Sequence, residues 1–134
     1  MKKIFISIIV TLIFSINTKA QNPTFTWAKS MGGSSPSDMG EAITVDGNGN
    51  AYTTGEFQGT SDFDPSVGTF TKTASGGLDI FISKLDLAGN FVWAKTIGGV
   101  GTDYGTSIKV DPSNNVYITG YFSNTVDFDP GAGT

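Results

Sequence analysis

The chain has 134 residues and a net charge of −4; 38% of its residues are apolar and 15% charged, enough for one modest domain. It holds no cysteine and no histidine, and its eight basic residues are all lysine. These absences exclude a disulfide framework, a zinc site, a thiol nucleophile and any triad or acid–base pair built on imidazole, while the acidic balance argues against a nucleic-acid partner, which selects a basic face.

The first twenty residues read as an address. Lys2 and Lys3 precede an apolar run from Ile4 to Ile16, and Asn17-Thr18-Lys19-Ala20 places small residues at −3 and −1 of a cut after Ala20. This is the layout of a secretory signal peptide. The rival, a membrane anchor, needs about 20 apolar residues to span a bilayer, and the absence of cysteine excludes a lipoprotein signal. The sequence therefore predicts a mature chain from Gln21 with no membrane span, exported to the periplasm, the outer surface or the medium.

The mature chain is a repeat. Phe25–Gly33 aligns on Phe91–Gly99 with six of nine positions identical, and Asp38–Thr69 aligns on Asp103–Thr134 with 17 of 32 identical. Within one period of 65 to 66 residues every local signal is strand or turn. Glu41–Asp46 is a short β-prone run, Asp46-Gly-Asn-Gly-Asn50 a turn, and Ala51–Phe57 the return strand of a hairpin. A long connection, Gln58–Gly77, contains Asp62-Phe-Asp-Pro65. Asp79–Asp86 is a third strand, apolar on both faces near its start, and the turn Leu87–Asn90 leads into a fourth, Phe91–Ile97.

Four hairpin-linked strands per repeat make one antiparallel sheet, and an all-β repeat of this length points to the blades of a β-propeller. A β-sandwich is the alternative, but it does not explain a tandem copy that keeps its long loop as faithfully as its strands. The predicted organisation is a signal peptide over 1–20, then a linker and the closing strand of another blade over 21–37. A complete blade comes next, over 38–99, and the first half of another over 100–134. Propellers close with about four to eight blades, so one and a half blades read as the N-terminal piece of a longer ring, with neighbouring blades as its first partners.

The pattern Gly-Gly…Asp-x-Gly-x-x-Ile-x-Val-Asp…Asn-x-Tyr-x-Thr-Gly…Asp-Ile-Phe-Ile-x-Lys-Leu-Asp…Gly-Asn-Phe-Val-Trp-Ala-Lys resembles the bacterial SBBP, or seven-bladed β-propeller, repeat over essentially all of Phe25–Thr134. The Asp-Phe-Asp-Pro-x-x-Gly-Thr element is similar to copies in secreted proteins of Bacteroidetes-like bacteria. The resemblance implies an exported, multi-bladed protein without an assigned activity.

If strands run outward from the axis in order, the blade-to-blade loop Gly32–Met39 and the long loop share one end of the propeller. That end collects Asp38, Asp62, Asp64, Asp79, Asp103, Asp127 and Asp129. Asp62 and Asp64, and their copies Asp127 and Asp129, project to one side of an extended chain about 7 Å apart, as a calcium ion needs. Calcium takes six to eight oxygens and only two are visible; the competing reading has both carboxylates accepting loop amides while Phe63 plugs the blade edge. Asp46-Gly-Asn-Gly-Asn50 begins like a calcium loop, but Ala51 and Phe57 stand where that loop needs Gly and Glu, so a plain turn fits better. Trp27 and Trp93 fit either blade packing or a sugar platform.

The sequence thus predicts a non-enzymatic structural or binding module for protein or polysaccharide, with no catalytic residue and no obligatory cofactor. The alternative is a propeller-type carbohydrate-active hydrolase or lyase using paired carboxylates on the acidic loop face. Glu41 and Glu56 are the only glutamates, and Asp62 and Asp127 are copies of each other. Catalytic residues break a repeat, and these aspartates obey it.

Overall fold

The computed structural model describes residues 24–131, so the signal-peptide prediction falls outside the described residues. Ten strands form: β1 (Gly32–Gly33), β2 (Met39–Val45), β3 (Ala51–Phe57), β4 (Thr60–Asp62), β5 (Thr71–Thr73), β6 (Asp79–Leu85), β7 (Phe91–Gly99), β8 (Tyr104–Val110), β9 (Val116–Tyr121) and β10 (Val126–Asp127). There is no helix among the described residues, and hence none long and apolar enough to cross a membrane.

The complete blade is the antiparallel order β2-β3-β6-β7, extended at its outer edge by β10; β8 and β9 form the first hairpin of the next blade. The fold is therefore all-β, part of a propeller. Side chains alternate across the pleat, so the two faces of the blade carry separate cores. Tyr52, Ile80 and Ile82 join Ile97 and Ile108 on the face that meets β8 and β9. Phe57, Phe63, Phe81 and Ala94 fill the opposite face, against Met31 of the leading segment.

Three tight turns share one design. Asp46, Asp86 and Asp111 each use one carboxylate oxygen to accept the amides two and four residues on, and the other to accept the side-chain amide of Asn50, Asn90 and Asn115. Two of the turns gain a tyrosine hydroxyl as well, Tyr52 on Asp46 and Tyr117 on Asp111. The carboxylate stands in for the ladder where the chain reverses.

Two features differ from the sequence reading. The long connection Gln58–Gly77 is partly ordered as the β4–β5 ribbon, with Thr60 opposite Thr73 and Asp62 opposite Thr71. The leading segment, matched to an outer strand, is in strand only at Gly32–Gly33, which pairs with β4. Upstream of Gly32 the backbone has no neighbouring strand among the described residues to complete a ladder.

Ile43 and Val45, both apolar, are nonetheless 67% and 60% exposed. They lie on the edge strand β2, on the face that a preceding blade would cover.

Candidate functional site

The loop end of the blade is where the repeated aspartates gather, and most of them hold backbone. Asp38 accepts the Gly33 amide at 2.6 Å, the Gln58 amide at 3.1 Å and the Ser61 hydroxyl at 3.0 Å. One repeat later Asp103, fully buried, accepts the Gly99 amide and the Ser123 amide, each at 3.0 Å. Each carboxylate thus ties the last residues of one blade's outer strand to the end of the next blade's second strand. Beside each clamp the same outer strand makes a two-residue bridge: Gly32 with Asp62 and Gly33 with Ser61, then Gly98 with Asp127 and Gly99 with Val126. The glycines let the strands approach, since a Cβ on Gly33 would overlap the Thr60 carbonyl and one on Gly99 the Thr125 carbonyl.

The Asp-Phe-Asp-Pro loops sit on this strap. Asp62 Oδ1 accepts the Asp64 and Phe70 amides, which hold its carboxyl below the usual carboxylate range, and Asp64 Oδ1 accepts the Ser66 amide. Asp127 and Asp129 accept the Asp129 and Gly131 amides in the same way. Phe63 is buried edge-on to Phe57 at 5.2 Å between ring centres. Asp62 and Asp64 line a cleft of about 420 Å³ with Ser30–Gly33, Pro65 and Ser66. The two aspartate pairs occupy successive blades, and among the described residues no three or more Asp or Glu side chains converge as a metal would need.

Asp79 is buried at the start of β6, where Oδ2 accepts the Ser75 amide while Oδ1 has no partner among the described residues. Burial raises its pKa, the Ser75 amide opposes this, and the Asp103 charge adds to the rise. Trp27 is half-buried and donates Nε1 to the Leu87 carbonyl at 3.0 Å, so it caps the turn before β7. Trp93 lies edge-on to Tyr52 at 6.0 Å in the core. Both indoles pack the blades.

Sequence reasoning passed over a second group of acids. Glu56, at the end of β3, is 5% exposed, and its Oε2 is buried with no partner among the described residues. Glu41 occupies the bulge between Gly40 and Ala42 on β2, close enough for its charge to reach Glu56. Burial first, and the Glu41 charge second, raise the Glu56 pKa. Desolvation first, then the charges of Tyr104, Glu56 and Glu41, hold the Tyr121 phenol above its usual range. Its ring stacks on Tyr104 at 4.5 Å and stays 58% exposed. The available signal was the repeat itself: Thr106 and Tyr121 occupy the second-copy positions of Glu41 and Glu56.

A four-stranded antiparallel blade, joined to the first hairpin of another and strapped to its neighbours by repeated clamps, defines a β-propeller repeat protein. The SBBP β-propeller repeat family matches residues 26–64 and 92–121, just over half of the sequence, and the chain belongs to that family. A WD repeat-containing protein of Acanthamoeba polyphaga mimivirus, itself uncharacterized, is 32% identical over 130 residues. The match takes in 87% of this chain but only 9% of the length of the viral protein. No solved structure matches the chain.

Proposed function

We propose that the chain serves in an exported bacterial protein, of the Bacteroidetes-like variant, as a non-enzymatic binding or structural module for a protein or polysaccharide partner at the outer cell surface. Export rests on residues 1–20, and the variant on the two Asp-Phe-Asp-Pro elements. The observation that carries the module reading is the engagement of the repeated acids: Asp38, Asp62, Asp64 and Asp103 all accept loop amides. Carboxylates tied into the backbone of every repeat build a scaffold, and function then lies in the surface that the scaffold displays.

The test uses the protein expressed from its complete reading frame in its own host. Intact mass should begin at Gln21. The immobilised protein should retain one class of envelope protein or polysaccharide saturably while leaving the chain length of the polysaccharide unchanged. Depolymerisation would favour the second reading, a hydrolase or lyase with paired carboxylates. That reading places its paired carboxylates on the acidic loop end, among aspartates such as Asp62 and Asp64.

A further inference from the structure

We propose that Lys84 is a register lock: its ammonium, held between the Asp46 carboxylate and the Tyr52 ring, selects how β6 aligns on β3. The inference goes beyond the binding-module reading and does not depend on it. It concerns how the blade reaches one arrangement.

Two of the three ladders in the complete blade are aligned by tight turns. β2 and β3 meet at Asp46–Asn50, β6 and β7 at Asp86–Asn90, and in each turn the Asp amide donates to the Asn carbonyl. A turn of fixed length sets the register of the strands it joins. The third ladder, β3 on β6, is joined by the long connection Gln58–Gly77. Its ribbon returns the chain at Ala74, whose amide donates to the Gly59 carbonyl, and Ser75–Leu78 then lie outside any strand. No tight turn sets this alignment.

The apolar pattern leaves a choice there. A slip of one residue turns every side chain to the wrong face, but a slip of two keeps the faces. Ile82, opposite Thr54, would come opposite Tyr52 or Glu56 and stay with Ile80 on one side. The Thr54 hydroxyl, which donates to the Phe81 carbonyl at 2.8 Å, would meet another carbonyl of the same strand. The opposite face resists a slip through the bulk of Phe81. Lys84 resists it through charge. Opposite Tyr52, its Nζ lies 4.0 Å from Asp46 Oδ2 and 4.8 Å from the centre of the Tyr52 ring. The Tyr52 hydroxyl donates to the same carboxylate at 3.1 Å. One slip carries the ammonium opposite Thr54, which is fully buried, and the other carries it past the ring, opposite Asn50. A cation moved into an apolar seam is penalised far more than a misplaced methyl.

The Asp46 side chain is 1% exposed, and its pairing with Lys84 is the one ion pair among the described residues. A pair so covered regains in attraction about what it loses in desolvation, so its use lies in specifying alignment. The turn at Asp86, whose ladder is already set, has neither a tyrosine nor a lysine on its carboxylate among the described residues.

The chain has no cysteine, so disulfide trapping in the full chain can read the register. Ser83→Cys with Thr53→Cys joins positions that face each other, and Ser83→Cys with Ala51→Cys joins positions that a two-residue slip brings opposite. Diagonal neighbours, about 7–8 Å apart, lie beyond the usual span of a disulfide. With Lys84 in place, the intrachain link between positions 53 and 83 should form and that between 51 and 83 should not. Lys84→Met keeps the bulk and removes the charge; it should raise the link between 51 and 83 about tenfold or more. Asp46→Asn should admit the same slip, and Lys84→Arg should restore the single link. Lys72→Met is the control: its lysine lies 5.2 Å over the Phe70 ring and meets no carboxylate, and the register should not change. A register unaffected by Lys84→Met or by Asp46→Asn, or loosened equally by Lys72→Met, would overturn the proposal. So would a Lys84→Met chain that fails to fold, since the pair would then supply stability and not alignment.

Discussion

Ile43 and Ile108 hold the same position in successive blades, yet Ile43 is 67% exposed and Ile108 is 2% exposed. Ile108 lies on the face of the blade before it, among Tyr52, Ile80 and Ile82. Ile43 points to the same side of its own blade, where only the short leading segment runs. A blade therefore derives much of its burial from its neighbours.

Residues 21–134 alone should self-associate. Met39, Ile43, Val45, Tyr121, Phe122 and Phe128 are more than half exposed, and each large apolar side chain left uncovered forgoes about 1.5–3 kcal/mol. Light scattering should report oligomers, with a broad melt. A monomer with a sharp two-state transition above ~50 °C, the usual range of small stable domains, would contradict the open-blade architecture.

Asp103→Ala should cost about 3 kcal/mol, because the Gly99 and Ser123 amides lose their acceptor in a buried setting. Asp38→Ala, at a half-buried position, should cost about 1 kcal/mol. Urea midpoints of the two variants would show the difference. Equal, negligible losses would mean that the carboxylates do not clamp the blades.

Gly99→Ala should destabilise by about 1–3 kcal/mol, since the added methyl collides with the Thr125 carbonyl and parts β7 from β10. Gly47→Ala is the control: nothing lies within 4 Å of its would-be Cβ, and the change should stay within about 0.5 kcal/mol. Hydrogen exchange at Asp127 and Asp129 should accelerate in the first variant and not in the second.

Thermal stability should peak in mildly acid solution. Asn50 and nearby amides push Asp46 down to about 2, and Asp86 and Asp111 are lowered by the same contacts. Their contribution is complete above the unfolded value, about 3.9, and is lost as pH falls towards 2. Glu56 and Asp79, raised chiefly by burial, act oppositely. Their contribution is complete below the unfolded value, about 4, and is lost as pH rises through the folded one. Melting temperatures across both limbs should show Glu56→Gln flattening the upper limb and Asp46→Asn the lower. An upper limb unchanged by Glu56→Gln would contradict the role given to that carboxyl.

Calorimetric titration with Ca²⁺ should give no stoichiometric micromolar site at the Asp-Phe-Asp-Pro loops, because Asp62, Asp64, Asp127 and Asp129 already accept amides. One site per blade, abolished by Asp64→Ala, would make that end of the propeller a calcium platform.

The hairpins were legible because their causes are local. Ala51–Phe57 forms the strand its residues predict, and Asp46, Asp86 and Asp111 close turns whose asparagines stand four residues on. The edge-on pairs Phe57–Phe63 and Phe122–Phe128 have nearly the same geometry, with ring centres 5.2 and 5.1 Å apart. What the pairs do not share is burial: Phe57 and Phe63 are covered by Phe81 and its neighbours, whereas Phe122 is 53% and Phe128 60% exposed. The interblade roles of Asp38 and Asp103 were equally hidden, since their partners Gln58 and Ser123 lie 20 residues away and repeat counting cannot tell a clamp from a ligand. Sequence alone determined the strands, turns and repeat, because backbone propensity and side-chain alternation act within a few residues. Only the tertiary structure decided which carboxylates hold blades together and which, as at Glu56, are buried with an oxygen that no described group satisfies, because burial and hydrogen-bond satisfaction depend on what packs from outside the strand.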